Sequence, residues 1–330
     1  MLSLALRLAV ALLAFLFGLG AAQLRLLSRS QPRDHTIGIA PRPDHPFAEV
    51  NPRSAADKGF DPGQPDSIAQ TVAYLHRIKA ADDRDIPLAA RPLLTDLKHQ
   101  MRDLIVETIS ALGTESPSAE SLRRTLWEQL TIHGVAIEQP KEGTGAEDFT
   151  ESGYALGDVF DIQVQRPAGH PDLIVVTTTL EIPCGRDTSL YVVQKRDQLW
   201  TLVLAQEANE YENVSGAQGR FRYAISPADA KNDFFIVTAN VNPWCTSNWQ
   251  ALRYSVVRIG ATAYQPWVLA AGEETIYLGA TPPYRLEVGK KWFSITFEGN
   301  SNQADIANGI NSRKHVVKYV IQRERARTSS

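Results

Sequence analysis

The apolar pattern predicts an α+β protein, with short N-terminal helices followed by a mostly antiparallel β domain. Three observations carry this expectation. Apolar residues recur at helical spacing between about residues 68 and 130. The period then drops to two after about residue 155, and no long helical stripe appears beyond that point. Composition agrees with a packed protein: 330 residues, 43% hydrophobic and 22% charged. The net charge of −3 supplies no basic footprint for nucleic acid or for an anionic membrane surface.

The N-terminus reads MLSLALRLAVALLAFLFGLGAA. Arg7 and the α-amino group form a positive start, and Leu8 to Leu19 is an apolar run of about 12 residues. Gly20, Ala21 and Ala22 then offer the small residues a signal peptidase reads, leaving Gln23 as the first mature residue. The expectation for residues 1–22 is a signal peptide and an extracytoplasmic protein, secreted or periplasmic. The alternative is a retained membrane anchor. A span needs roughly 20 apolar residues, which this run approaches only by including Arg7, while Arg25, Arg29 and Arg33 weaken the usual charge asymmetry.

Residues 23–65 form a proline-rich tether. Pro32, Pro41, Pro43, Pro46, Pro52, Pro62 and Pro65 remove backbone donors, so neither a helix nor an interior strand suits this stretch. A helical segment at 66–134 follows. Ile68, Val72 and Leu75 define one helix beginning near Pro65-Asp66. Leu97, Met101, Leu104, Ile105, Thr108 and Leu112 define a second, stopped at Gly113. Leu122, Leu126 and Leu130 define a third, with Ser116-Pro117 expected at its start and Gly134 at its end. The helices are expected either to cap the sheet or to form a separate platform.

A β-rich domain is expected at 155–322. Phe160, Ile162 and Val164 alternate with polar neighbours, as do Phe221, Tyr223 and Ile225. The same holds for Phe235 to Val241, for Phe293, Ile295 and Phe297, and for His315 to Ile321. Leu173–Thr179 is a continuous apolar run that suits a central strand. The polar residues 194–198 suit a hairpin connector. About a dozen strands emerge, without a fixed-period repeat. A β-sandwich is preferred on that count, with a propeller-like arrangement as the alternative.

Cys184 and Cys245 both lie in turn-like contexts beyond strand ends. In an oxidising compartment they are expected to form a disulfide closing a loop of roughly 60 residues. Trp244, Trp249, Tyr254 and Trp267 are the binding candidates. With Tyr264 they form an aromatic-rich stretch interleaved with Asn248, Gln250 and Gln265, which suits sugar stacking or peptide capture. The competing reading is that these rings fill a β core.

No catalytic motif stands out. The seven histidines fall at no ligand spacing, so no metal site and no cofactor are expected. Gly143-Thr144-Gly145 lacks the rest of a phosphate cradle. Glu207, Glu210 and Glu212 read as loop charge, as do Glu273 and Glu274. Asn213-Val214-Ser215 is a glycosylation sequon. Together these point to an extracytoplasmic binding or structural module. Its partner would be a polymer or protein in the cell envelope or outside the cell, with membrane contact only through the N-terminal segment if uncleaved. The alternative is an exported hydrolase, glycan-acting, using strand-borne carboxylates.

Overall fold

The computed structural model describes residues 33–36, 67–78, 85–113, 115, 117–135, 155–209, 211, 213–229, 233–243, 247–260, 262–278, 282–300 and 312–321. Residues 1–22, expected to be a signal peptide, and most of 23–65, expected to be a tether, lie outside these residues. Helix α1 spans Ile68–Leu75, α2 Ala90–Ser110 and α3 Ala119–Ile132. Strand β1 is Arg33–Thr36, and β2 to β12 follow between Val159 and Val320. The α+β organisation is therefore present, with helices first and antiparallel strands after.

The first helix begins at Ile68, where its apolar stripe does, while the other two begin away from where their patterns predict. Ser67 caps α1, its hydroxyl accepting the Gln70 N–H. Ser118, not Ser116, caps α3 by accepting the Ser121 N–H at 3.1 Å. Pro117 thus lies before the cap instead of opening the helix. Helix α2 starts about two turns before Leu97, because Ala90 and Leu94 extend its buried stripe. Gly113 and Gly134 do end their helices, at φ of 56° and 73°.

The helices cap a four-stranded antiparallel sheet in the order β2-β3-β4-β5. The strands are Val159–Gln165, Leu173–Ile182, Gly185–Arg196 and Leu199–Gln206. One face, including Ile174, Val176 and Tyr191, shares a core with Leu75, Leu97, Met101 and Leu126. Close approach matters here: a Cβ on Gly157 would lie 2.6 Å from Leu75, and its φ is 88°. The opposite face, with Val175 and Val192, packs on Ile236 and Val257 of the second sheet. Burial on both faces explains why Leu173–Thr179 reads as a continuous apolar run.

The second sheet is larger and curls on itself. Its order is β1-β12-β11-β9-β8-β7-β6, with β10 also paired to β11. The strands β6 to β12 are Arg222–Ile225, Ile236–Val241, Trp249–Arg258, Trp267–Tyr277, Tyr284–Val288, Trp292–Asn300 and Ser312–Val320. All of these pairings are antiparallel except β1 with β12, which is parallel. Tyr284 draws the sheet towards closure. From β10 its hydroxyl lies within hydrogen-bond distance of two carbonyl oxygens, Ala239 O of β7 at 2.7 Å and Arg220 O just before β6 at 2.6 Å, which share its single proton. Phe235, Val237, Leu252, Phe293 and Ile295 fill the enclosed core. The result is nearly barrel-like, because bonded ends leave fewer open edges. Residues 33–36, which fall in the stretch expected as a tether, form β1 at the end of this sheet, directly after Pro32.

Candidate functional site

Helix α2 lies antiparallel along β5 and the connector that follows it. Thr95 Oγ1 donates to Asn209 O at 2.7 Å, and Lys98 Nζ donates to Ala208 O. Arg102 Nη1 lies 3.2 Å from Glu207 Oε2, and Ser110 Oγ donates to Trp200 O at 3.4 Å. As the helix number rises from 95 to 110, its partner falls from 209 to 200. Residues 95, 98 and 102 share one helix face, so a single polar stripe meets one strand.

The stripe leads into a buried polar cluster. Lys98 and Asp187 side chains are both 0% exposed, with Nζ 2.8 Å from Oδ2. Tyr211 hydrogen-bonds both groups, and the Gln218 N–H donates to Asp187 Oδ1 at 2.7 Å. Thus the lysine charge is matched, and both carboxylate oxygens have donors. Burial holds the Tyr211 hydroxyl well above its ordinary pKa, and the adjacent Asp187 carboxylate raises it further. Tyr191 is likewise pushed up by burial first and by Glu207 second.

Glu207 stands at the outer end of this cluster. Its side chain is only 3% exposed, between Arg102 at 3.2 Å and the His99 ring at 3.5 Å. The reading of Glu207 as solvated loop charge is therefore corrected: helix α2 covers it. Burial lowers the His99 pKa and outweighs the opposing pull of Glu207, with Arg102 and Lys98 adding to the lowering. A separate dyad occurs where α1 meets β2, with His76 Nε2 2.8 Å from the buried Asp158.

Beside Arg102 opens a groove of about 670 Å³. Asp103, Val106 and Glu107 of α2 form one wall, Trp200–Val203 of β5 the floor, and Ile259, Gly260 and Thr262–Tyr264 the other wall. The Tyr264 ring packs on the Arg102 guanidinium at 5.1 Å, linking the groove to the buried cluster. The groove closes where the Ala205 N–H donates to Ala263 O at 3.0 Å. Arg196 sits at its hairpin end.

The structure separates the aromatic candidates. Trp249 pairs with Tyr277 and Trp267 with Arg258, so the two tryptophans occupy opposite ends of the β8–β9 ribbon. Tyr254 points the other way, into the barrel, where its hydroxyl bonds Tyr319. Trp249 is half-buried and packs 4.9 Å from Tyr277, whereas Trp267 is 64% exposed. Trp244 and Cys245 lie outside the described residues, as do Glu210 and Glu212. Among the described residues of the aromatic stretch, only Tyr264 lines the groove. Glu273 is exposed and paired with Arg253 at 2.7 Å.

Cys184 occupies the two-residue turn between β3 and β4 at φ 65°. The adjacent Gly185 faces Pro243, to which a Cβ would come within 3.0 Å. Gly185, next to Cys184, thus lies beside Pro243. Asn213 of the sequon is engaged locally, its Oδ1 accepting the Ser215 N–H at 2.8 Å. Among the described residues, no group of three or more His, Cys, Asp or Glu side chains is placed to hold a metal ion. No described helix is long and apolar enough to cross a membrane.

Sequence reasoning missed Lys98, Arg102 and Asp187. A usable signal was present, because Lys98 lies on the apolar stripe between Leu97 and Met101, where an unpaired ammonium is costly. No protein-family model, curated protein or solved structure matches this chain.

Proposed function

We propose that this protein is an exported binding module whose ligand site is the groove between α2, β5 and the 259–264 segment. The observation that carries the reading is the joining of an open, mixed polar and apolar groove to a buried network centred on the Lys98–Asp187 ion pair. Such a network anchors the helix wall rigidly, which lowers the ordering cost of binding. The β scaffold is read as a sandwich where the β3–β4 face meets β7 and β8.

The hydrolase reading is less well supported. Asp187 and Glu207 are buried but are committed to Lys98 and Arg102, and neither lines the groove. Export and a periplasmic or secreted location rest on residues 1–22 and are tested by N-terminal sequencing. A mature chain beginning at Gln23 is expected. Site assignment is tested by screening the full mature chain against peptide and glycan libraries, in parallel with Val106→Trp. Binding that this variant loses, at native thermal stability, supports the groove; binding that it retains places the ligand elsewhere.

A further inference from the structure

The hairpin joining β4 and β5 determines which backbone groups of β5 face outward. Asp197 and Gln198 both have positive φ, 48° and 68°, and Arg196 pairs with Leu199 around them. A two-residue turn of this kind makes that closing pair hydrogen-bonded. Alternation then turns the N–H and C=O of Trp200 and Leu202 away from β4. Two observations agree. Lys195, opposite Trp200, donates its N–H at 2.8 Å to Asp172 O instead of to β5. Trp200 O, on the outward side, accepts from Ser110.

Among the described residues β5 is the terminal strand of its sheet, and no described strand pairs with this outward edge. It faces into the groove, where Trp200, Thr201, Leu202 and Val203 form the floor. An edge of this type is a template for an added strand. The helix wall supplies the matching charge. Asp103 and Glu107 are exposed, one helical turn apart, roughly 6 Å along an axis antiparallel to β5. Asp103 Oδ1 already accepts from Arg102 Nε at 3.2 Å, and the 73% exposed Asp103 side chain keeps its other oxygen towards solvent. Alternate residues of an extended chain repeat at roughly 6.6 Å. Two cationic side chains at positions i and i+2 of an added strand would therefore meet both carboxylates, while the backbone meets Leu202.

We propose that the outward edge of β5 at Leu202, between the Ser110 contact at Trp200 and the Ala263 contact at Ala205, captures an extended polypeptide as an added strand, selecting basic side chains at alternate positions. This deepens the groove reading above and rests on it. The probe is an acetylated, amidated alternating Lys-Val decapeptide, with its Glu-Val counterpart as control, titrated against the full mature chain.

The Lys-Val peptide is expected to bind at least tenfold more tightly than Glu-Val and to slow amide exchange at Leu202. Asp103→Lys with Glu107→Lys, both at exposed positions, should reverse that preference. Leu202→Pro removes the outward donor at an edge position where proline is tolerated, and should abolish binding in folded material. Absence of Lys-Val binding, equal binding of the two peptides, or binding without protection at Leu202 overturns the proposal. If the peptides fail while Val106→Trp still removes a glycan ligand, strand capture falls and the groove stands. If no ligand responds to Val106→Trp, the groove reading falls as well.

Discussion

Lys98 Nζ lies 2.8 Å from Asp187 Oδ2, and neither side chain reaches solvent. This pair ties the second helix to the centre of the first sheet, in a core otherwise built from Leu97, Met101, Ile105 and Tyr191.

Removing one partner leaves a buried charge without its counter-ion. Lys98→Met should therefore lower unfolding free energy by about 3–5 kcal/mol. The double variant with Asp187→Leu should recover part of that loss by removing the unpaired charge, the remainder reflecting the Gln218 N–H, Tyr211 hydroxyl and Ala208 carbonyl left without these partners. Urea denaturation checks both values. Equal stability of wild type and Lys98→Met would show that the pair is not buried in solution.

Acid should weaken the fold through His99. Its folded pKa is lowered by burial, with Arg102 and Lys98 assisting and Glu207 and Asp96 opposing. The unfolded chain, with an ordinary histidine pKa near ~6.5, then takes up the proton more readily. Stability associated with His99 is thus complete above that value and is lost as pH falls towards the lower folded value. Denaturation midpoints measured from pH 7.5 to 5 should fall less steeply for His99→Gln than for wild type. Parallel curves would assign the acid sensitivity to other groups.

The bridge between Cys184 and Cys245 is proposed from their turn contexts and from the contact of Gly185 with Pro243. Non-reducing intact mass should lie about 2 Da below the fully reduced chain. Closing a loop of roughly 60 residues contributes about 4 kcal/mol on the chain-entropy model, so Cys184→Ser should lower the melting temperature clearly. Folded material from the native location in which both thiols alkylate rapidly would rule the bridge out.

Particular elements show what could be read in advance. The stripe Leu122, Leu126, Leu130 and the alternation Phe293, Ile295, Phe297 each report one solvent face and one core face. Such local signals predicted the elements within a few residues. Cap positions slipped because Ser116 and Ser118 are equivalent in pattern, and the capping hydrogen bond belongs to Ser118. Tyr254 and Trp249 looked alike in the aromatic stretch. Strand phase places one inside the barrel and the other outside it.

Residue order alone thus determined the succession of helices then antiparallel strands, since hydrophobic period is a short-range property of the chain. Only the tertiary structure decided that Glu207 is covered, that Lys98 finds Asp187, and that β5 ends its sheet beside α2. The physical reason is distance along the chain. Lys98 and Asp187 are 89 residues apart, and no local pattern encodes which ammonium will neutralise which carboxylate. That choice is made when layers pack and each buried charge must find its counter-ion.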